Sequence, residues 1–173
     1  MIQDIADPSW ILRPALDEAF AAMIEYDLVF DALVRPAHLD ALRTRLMRHP
    51  ALRVVLDHAG KPDIAHDGFE TWAKQLARLA RDTTAHCKLS GVLTEAGARS
   101  SAEVLAPYIG HIFHLFGPKR VLWGSDWPVL NLAGDYAQWL ALSRELVMCF
   151  AASSERDVFC DTAARIYQLE LYP

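Results

Sequence analysis

Positive charge, glycine-rich turns, paired cysteines and long apolar runs are scarce or missing in this 173-residue chain, and each shortage closes off a class of function. Lys and Arg number 17 against 22 Asp and Glu, a net charge of −5. With no clustered basic face, a nucleic acid or an anionic membrane has no cationic surface to meet. No uninterrupted apolar stretch reaches the ~18 residues a membrane span needs, and Met1 to Pro8 lacks the basic flank and apolar core of a signal peptide. A cytoplasmic protein with no membrane partner is the expectation. Cys87, Cys149 and Cys160 are odd in number, have no C-x-x-C spacing and sit inside apolar segments, which predicts buried free thiols in a reducing compartment. No Gly-rich phosphate turn follows a strand-like run, which weakens a nucleotide-binding sheet.

What the chain does have is apolar content, 53% by residue, enough for a sizeable core in a single domain spanning residues 1–173. Ile2 to Ile5 reads as the end of a strand. Arg13-Pro14 opens a helix that runs to Tyr26, with Leu16, Phe20, Met23 and Ile24 on one face. Leu28 to Val34 is a nearly continuous apolar strand of the parallel-sheet kind, carrying one acid, Asp31. A helix at 37–48, a strand at Arg53 to Leu56, a helix at 69–81 and a strand at Thr84 to Leu89 follow. After a polar loop come a helix at 102–116, the run Val121 to Trp123, and helices at 136–150 and 154–167, the last opened by a capping-box spacing between Ser154 and Asp157. Strand and helix alternate four times. That pattern predicts parallel strands with helical crossovers, either a doubly wound sheet or the last four to five units of a (β/α)8 barrel, whose full length is typically ~250 residues.

Chemistry in such folds sits at the carboxyl ends of the strands, and polar groups gather there. Val121-Leu122-Trp123-Gly124-Ser125-Asp126-Trp127-Pro128 is a short apolar run broken by Gly124 and followed at once by a carboxylate. Asp126 is the leading catalytic candidate, with an Asx turn as the structural alternative. His58 ends the strand at Leu56 and can bind a metal, hold a carbonyl or move a proton. Lys88, near the end of an otherwise apolar strand, needs a counter-charge or a polar mouth. Asp31 and Arg35 lie four residues apart, as a structural pair or as a place for anionic substrate groups. His38, His49, His66, His86, His111 and His114 lack paired ligand spacing and read as structural.

Leu56-Asp57-His58-Ala59-Gly60-Lys61-Pro62, Cys87-Lys88-Leu89-Ser90-Gly91, Phe116-Gly117-Pro118 and Trp123-Gly124-Ser125-Asp126-Trp127-Pro128 together resemble the amidohydrolase-related family of metal-dependent-hydrolase TIM barrels, in particular its sugar-lactone hydrolase branch. Ile2-Gln3-Asp4, Trp10-Ile11-Leu12-Arg13-Pro14, Phe30-Asp31 and Val34-Arg35-Pro36 resemble it too. The resemblance implies a partial (β/α)8 barrel and a hydrolase that opens a sugar-acid lactone, a small-molecule substrate. It implies Asp126 as general base on water and His58 facing the substrate carbonyl or, with Asp126, a divalent metal such as zinc; a metal-independent reaction stays open. Lys88, Arg35 and Asp31 would hold substrate hydroxyl or carboxylate groups, and Trp127, with Trp123, would form an apolar wall or pack in the core. Metal-dependent decarboxylation and amide hydrolysis are the alternatives within the superfamily. Members of that family begin with a strand carrying H-x-H, and this chain has none, so the resemblance implies the C-terminal portion of a longer enzyme. From that follow three expectations: a catalytically inactive truncated fragment as the rival to an enzyme, an uncovered barrel interior, and two raw sheet edges driving homo-oligomer formation.

Overall fold

The computed structural model describes residues 4–170. Four short strands, β1 (Val29–Ala32), β2 (Arg53–Leu56), β3 (His86–Leu89) and β4 (Val121–Trp123), form one sheet in the order β1-β2-β3-β4 with every neighbouring pair parallel. The register pairs Asp31 with Val55, Leu56 with Cys87 and Lys88 with Leu122. Helices α1 (Asp17–Glu25), α2 (Leu39–Arg48), α3 (Phe69–Asp82), α4 (Val92–Ala96), α5 (Ala102–Phe116), α6 (Tyr136–Ala151) and α7 (Thr162–Tyr167) complete the described elements. This is the architecture of part of a (β/α)8 barrel. No helix among the described residues is long and apolar enough to cross a membrane.

The two faces of the sheet divide by the two-residue period of a strand. Ala32, Val54, Leu56, Cys87, Leu89 and Val121 join the main core, together with the apolar stripes of α2 (Leu39, Leu42, Leu46) and α3 (Trp72, Leu76, Leu79). Asp31, Val55, Lys88 and Leu122 belong to the other face, the side that becomes a lumen in a closed barrel. That face is not bare. Val55 and Leu122 are buried beneath Ile166, with Val29, Ala163 and Tyr167 packed around them, so α7 covers part of the expected open interior. At the β4 end of the sheet, the π-helical turn Asp157–Asp161 packs against the strand.

Three further expectations change. The polar loop after Ser90 contains α4, whose Val92, Leu93 and Ala96 are buried; five residues are too short a run to show a helical period. The Ser154–Asp157 capping box does not form. Ser154 ends a 3-10 turn without a side-chain cap, and Asp157 instead pairs with Arg165 at 3.2 Å. Of the three free cysteines, Cys87 is buried, but Cys149 is exposed on α6 and Cys160 is half-buried. Of the strand stub expected at Ile2 to Ile5, residues 2 and 3 lie outside the described residues, while Asp4 and Ile5 are not in a strand.

Candidate active site

Parallel pairing brings the carboxyl ends of all four strands to one rim, and the groups read from sequence meet there in two clusters. In the first, His58 Nε2 lies 3.5 Å from Asp126 Oδ1, and His58 Nδ1 lies 2.8 Å from the Ser90 hydroxyl. Thr94 Oγ1 donates to Asp126 Oδ2 at 3.2 Å. The side chains of His58 and Asp126 are 18% and 10% exposed, enough to be reached from one side and too little to be fully solvated. No backbone amide among the described residues donates to the Asp126 carboxylate, so the Asx-turn alternative does not apply. Burial holds the His58 imidazole below its ordinary pKa, against the opposing pull of the Asp126 and Asp57 carboxylates. The ring is therefore neutral near pH 7.

Local backbone chemistry explains how His58 gets there. His58, Ala59, Gly60 and Lys61 all have positive φ, between 50° and 70°, a conformation that L residues adopt at a cost. Tertiary contacts hold the turn. Trp72 Nε1 of α3 donates to Ala59 O at 2.8 Å, and Lys61 Nζ pairs with Glu95 of α4 at 2.7 Å. Asp126 likewise has φ 59°, and a cis peptide joins Trp127 to Pro128.

Gly91 makes the close approach of the His58 side chain to the loop after β3 possible. Its φ is +67°, and a Cβ placed on it would lie 2.7 to 2.9 Å from the Cγ, Cβ and Nδ1 of His58. Gly91→Ala is expected to lower stability by at least ~1–2 kcal/mol from the left-handed backbone alone, and to push the His58 ring off Ser90. A thermal melt checks the first effect and a crystal structure of the variant the second.

The second cluster is built on Lys88. Its ammonium lies 2.6 Å from Asp57 Oδ1 and 3.0 Å from Asp31 Oδ1, with the Tyr167 ring centroid 5.7 Å away. The Tyr167 hydroxyl donates to Asp31. Burial by itself would push the Lys88 pKa down, but hydrogen bonding and attraction to Asp57 and Asp31 overcome it and raise it. Lys88 is a permanent cation. The Tyr167 hydroxyl is pushed up to about 12, first by burial and then by its bond to Asp31.

The expected Asp31–Arg35 pair is not formed: Asp31 is taken by Lys88 and Tyr167, while Arg35 is exposed and has no ion-pair partner among the described residues. Trp127 stands 66% exposed beside Asp126. Trp123 takes the packing alternative, stacking on Trp139 and donating to Ser143 at 2.8 Å. His38 is buried, with Nδ1 accepting from the Arg35 amide, and His111 packs on Phe69 and Trp72 with Nε2 3.3 Å from Ala73 O. Ser90, Thr94, Glu95 and Tyr167 are contributors that sequence reasoning missed. Ser90 had a signal, since it follows β3 as His58 follows β2; Tyr167 had none, being 136 residues from Asp31.

Residues 2–169 match the amidohydrolase family. The chain belongs to that family. It is 44% identical to an L-fucono-1,5-lactonase of Burkholderia ambifaria over 98% of this chain and 60% of that protein. A second L-fucono-1,5-lactonase, from Burkholderia multivorans, is 35% identical over 97% of this chain and 61% of its own length. Among solved structures, an amidohydrolase of Burkholderia multivorans with bound zinc superposes with a TM-score of 0.91 at 33% identity, over 97% of this chain and 62% of that one. The chain thus spans about three fifths of the relatives it matches.

One amidohydrolase relative binds zinc, and two residues of this rim have the donor atoms to hold it. His58 Nε2 and Asp126 Oδ1 are suitable donors, and their 3.5 Å separation is near the ~3.3 Å edge of a tetrahedron with ~2.0–2.1 Å bonds. A catalytic zinc uses about three protein ligands. No third His, Cys, Asp or Glu among the described residues joins the pair. The described part of this amidohydrolase chain therefore does not assemble a zinc site by itself.

Proposed function

We propose that this site hydrolyses a sugar-acid lactone of the L-fucono-1,5-lactone type. The observation that carries the reading is the side-by-side placement of a carboxylate and a neutral imidazole, Asp126 Oδ1 and His58 Nε2 at 3.5 Å, in a chain 44% identical to a lactonase. Asp126 takes a proton from water as the water oxygen attacks the lactone carbonyl carbon. With the Ser90 hydroxyl donating to Nδ1, the imidazole proton sits on Nε2 and donates to the developing oxyanion. When the tetrahedral intermediate collapses, the ring C–O bond breaks and the proton held by Asp126 passes to the departing ring oxygen. The product is the open hydroxy acid.

Lys88, fixed between Asp31 and Asp57, presents donors and flanking acceptors to substrate hydroxyl groups. Arg35 lies four residues beyond Asp31 and serves a carboxylate or hydroxyl at the rim. The exposed Trp127 indole offers an apolar face to the sugar ring. A second reading, a chain without turnover of its own, is favoured by the two-residue metal donor set.

One assay decides between them. The purified chain is incubated with L-fucono-1,5-lactone and acid release is followed at constant pH. Turnover above the buffer rate, falling ~10²–10³-fold in His58→Asn as an oxyanion donor is lost, supports the lactonase. No turnover by the wild-type chain supports the second reading.

A further inference from the structure

We propose that Thr94 is a positioning residue that sets the rotation of the Asp126 carboxylate, so that Oδ1 and not Oδ2 is the oxygen presented to the attacking water. The proposal rests on the reading of Asp126 as the base. Thr94 lies on α4 and the single proton of its half-buried hydroxyl is shared between two acceptors, Gly91 O at 3.0 Å and Asp126 Oδ2 at 3.2 Å. The bond to Gly91, three residues back, is an ordinary local contact of a threonine in a helix. The bond to Asp126 is different in kind, because it crosses 32 residues of chain to the loop after β4.

A carboxylate on one rotatable bond can turn either oxygen toward a neighbour. Here Oδ2 is occupied by the Thr94 hydroxyl, which leaves Oδ1 on the side of His58 Nε2. The element that carries Thr94 is itself fastened to both catalytic loops. Glu95, the next residue, pairs with Lys61 at 2.7 Å, three positions beyond His58, and its carbonyl accepts from the Ala65 amide at 3.0 Å. On the other side α4 packs on the Val129–Leu132 turn that follows Asp126. Any shift of the His58 loop is thereby transmitted to the oxygen that Thr94 holds, and the two reactive groups keep their relative placement.

The test compares Thr94→Val, which keeps shape and loses the hydroxyl, with Thr94→Ser, which keeps the hydroxyl, in the full chain with L-fucono-1,5-lactone. In Thr94→Val, kcat is expected to fall about 10- to 100-fold, the usual worth of a hydrogen bond to a charged group. KM should stay within about threefold, and Thr94→Ser should regain most of kcat. A Thr94→Val protein with wild-type kcat, or a Thr94→Ser protein as slow as Thr94→Val, overturns the proposal. Asp126→Asn measured alongside separates the two levels: full activity there sinks the general-base reading, whereas its loss with Thr94→Val unaffected sinks the positioning role alone. A readout independent of turnover is the crystal structure of each variant. The Asp126 carboxylate should rotate away from the 3.5 Å approach to His58 Nε2 in Thr94→Val and keep it in Thr94→Ser; unchanged geometry in Thr94→Val contradicts the proposal even for a chain without turnover.

Discussion

Asp126→Asn is expected to lower kcat for lactone hydrolysis by ~10²–10⁴, the usual contribution of a positioned general base. KM should change little, because the amide preserves the shape of the carboxylate and removes its basicity. The size of the effect follows from placement. Asp126 is 10% exposed, receives the Thr94 hydroxyl on one oxygen and faces a neutral imidazole with the other, so no nearby cation competes for the oxygen that takes the proton. Steady-state kinetics on the folded variant check this, with the melting temperature as control. A kcat within a fewfold of wild type would mean that water is activated by another group.

Arg45→Ala is expected to destabilise the fold by ~1–3 kcal/mol, the cost of leaving a buried carbonyl without its donor. Arg45 lies on α2 with its side chain fully buried. Its guanidinium donates to Ile11 O at 2.8 Å and to Arg13 O at 3.0 Å, pairs with Asp17, and sits 4.8 Å from the Phe20 ring centroid. One side chain thus bonds two carbonyls of a segment built from two short 3-10 turns, Trp10–Leu12 and Pro14–Leu16. Alanine leaves the buried Ile11 carbonyl without its guanidinium donor and opens space against Phe20. Arg45→Lys should also be costly, since an ammonium cannot reproduce the planar fork. Urea denaturation measures both variants; a loss below about 1 kcal/mol for Arg45→Ala would show that the 10–25 segment holds to α2 by apolar packing alone.

The sheet was legible because its signal is local. Arg53-Val54-Val55-Leu56 and Val121-Leu122-Trp123 are apolar on both faces, and a parallel strand buried on both sides has that pattern. The stripe of Trp72, Leu76 and Leu79 on α3 was equally plain. At the rim, Asp126, His58 and Lys88 stood out because a polar group at the end of a buried apolar strand is costly to desolvate unless it meets a partner or opens onto a polar mouth. What lay hidden depends on contacts distant in sequence. Arg45 reads as a helix-surface cation until the 10–17 segment folds over it. Thr94 and Glu95 sit on a helix of five residues, shorter than two turns, so no period exists to be seen. Tyr167 and Ile166 read as one face of a terminal helix, and nothing local says that this face closes the inner side of the sheet. Arg35 was drawn toward Asp31 by their spacing of four, a helical rule that does not hold where β1 ends and the chain turns.

The most direct test of the account is where the hydrolysis product binds. A crystal structure of the chain with the open hydroxy acid is predicted to place the product carboxylate, which was the lactone carbonyl, within hydrogen-bonding distance of His58 Nε2 and beside Asp126 Oδ1, with its hydroxyl groups toward Lys88 and Asp31. The opposite end of the sheet has a cavity of about 360 Å³ lined by Leu46, His49, Leu52, Val54, Asp82 and Thr84. Product found there, with the rim at His58 and Asp126 untouched, would contradict the assignment of the active site.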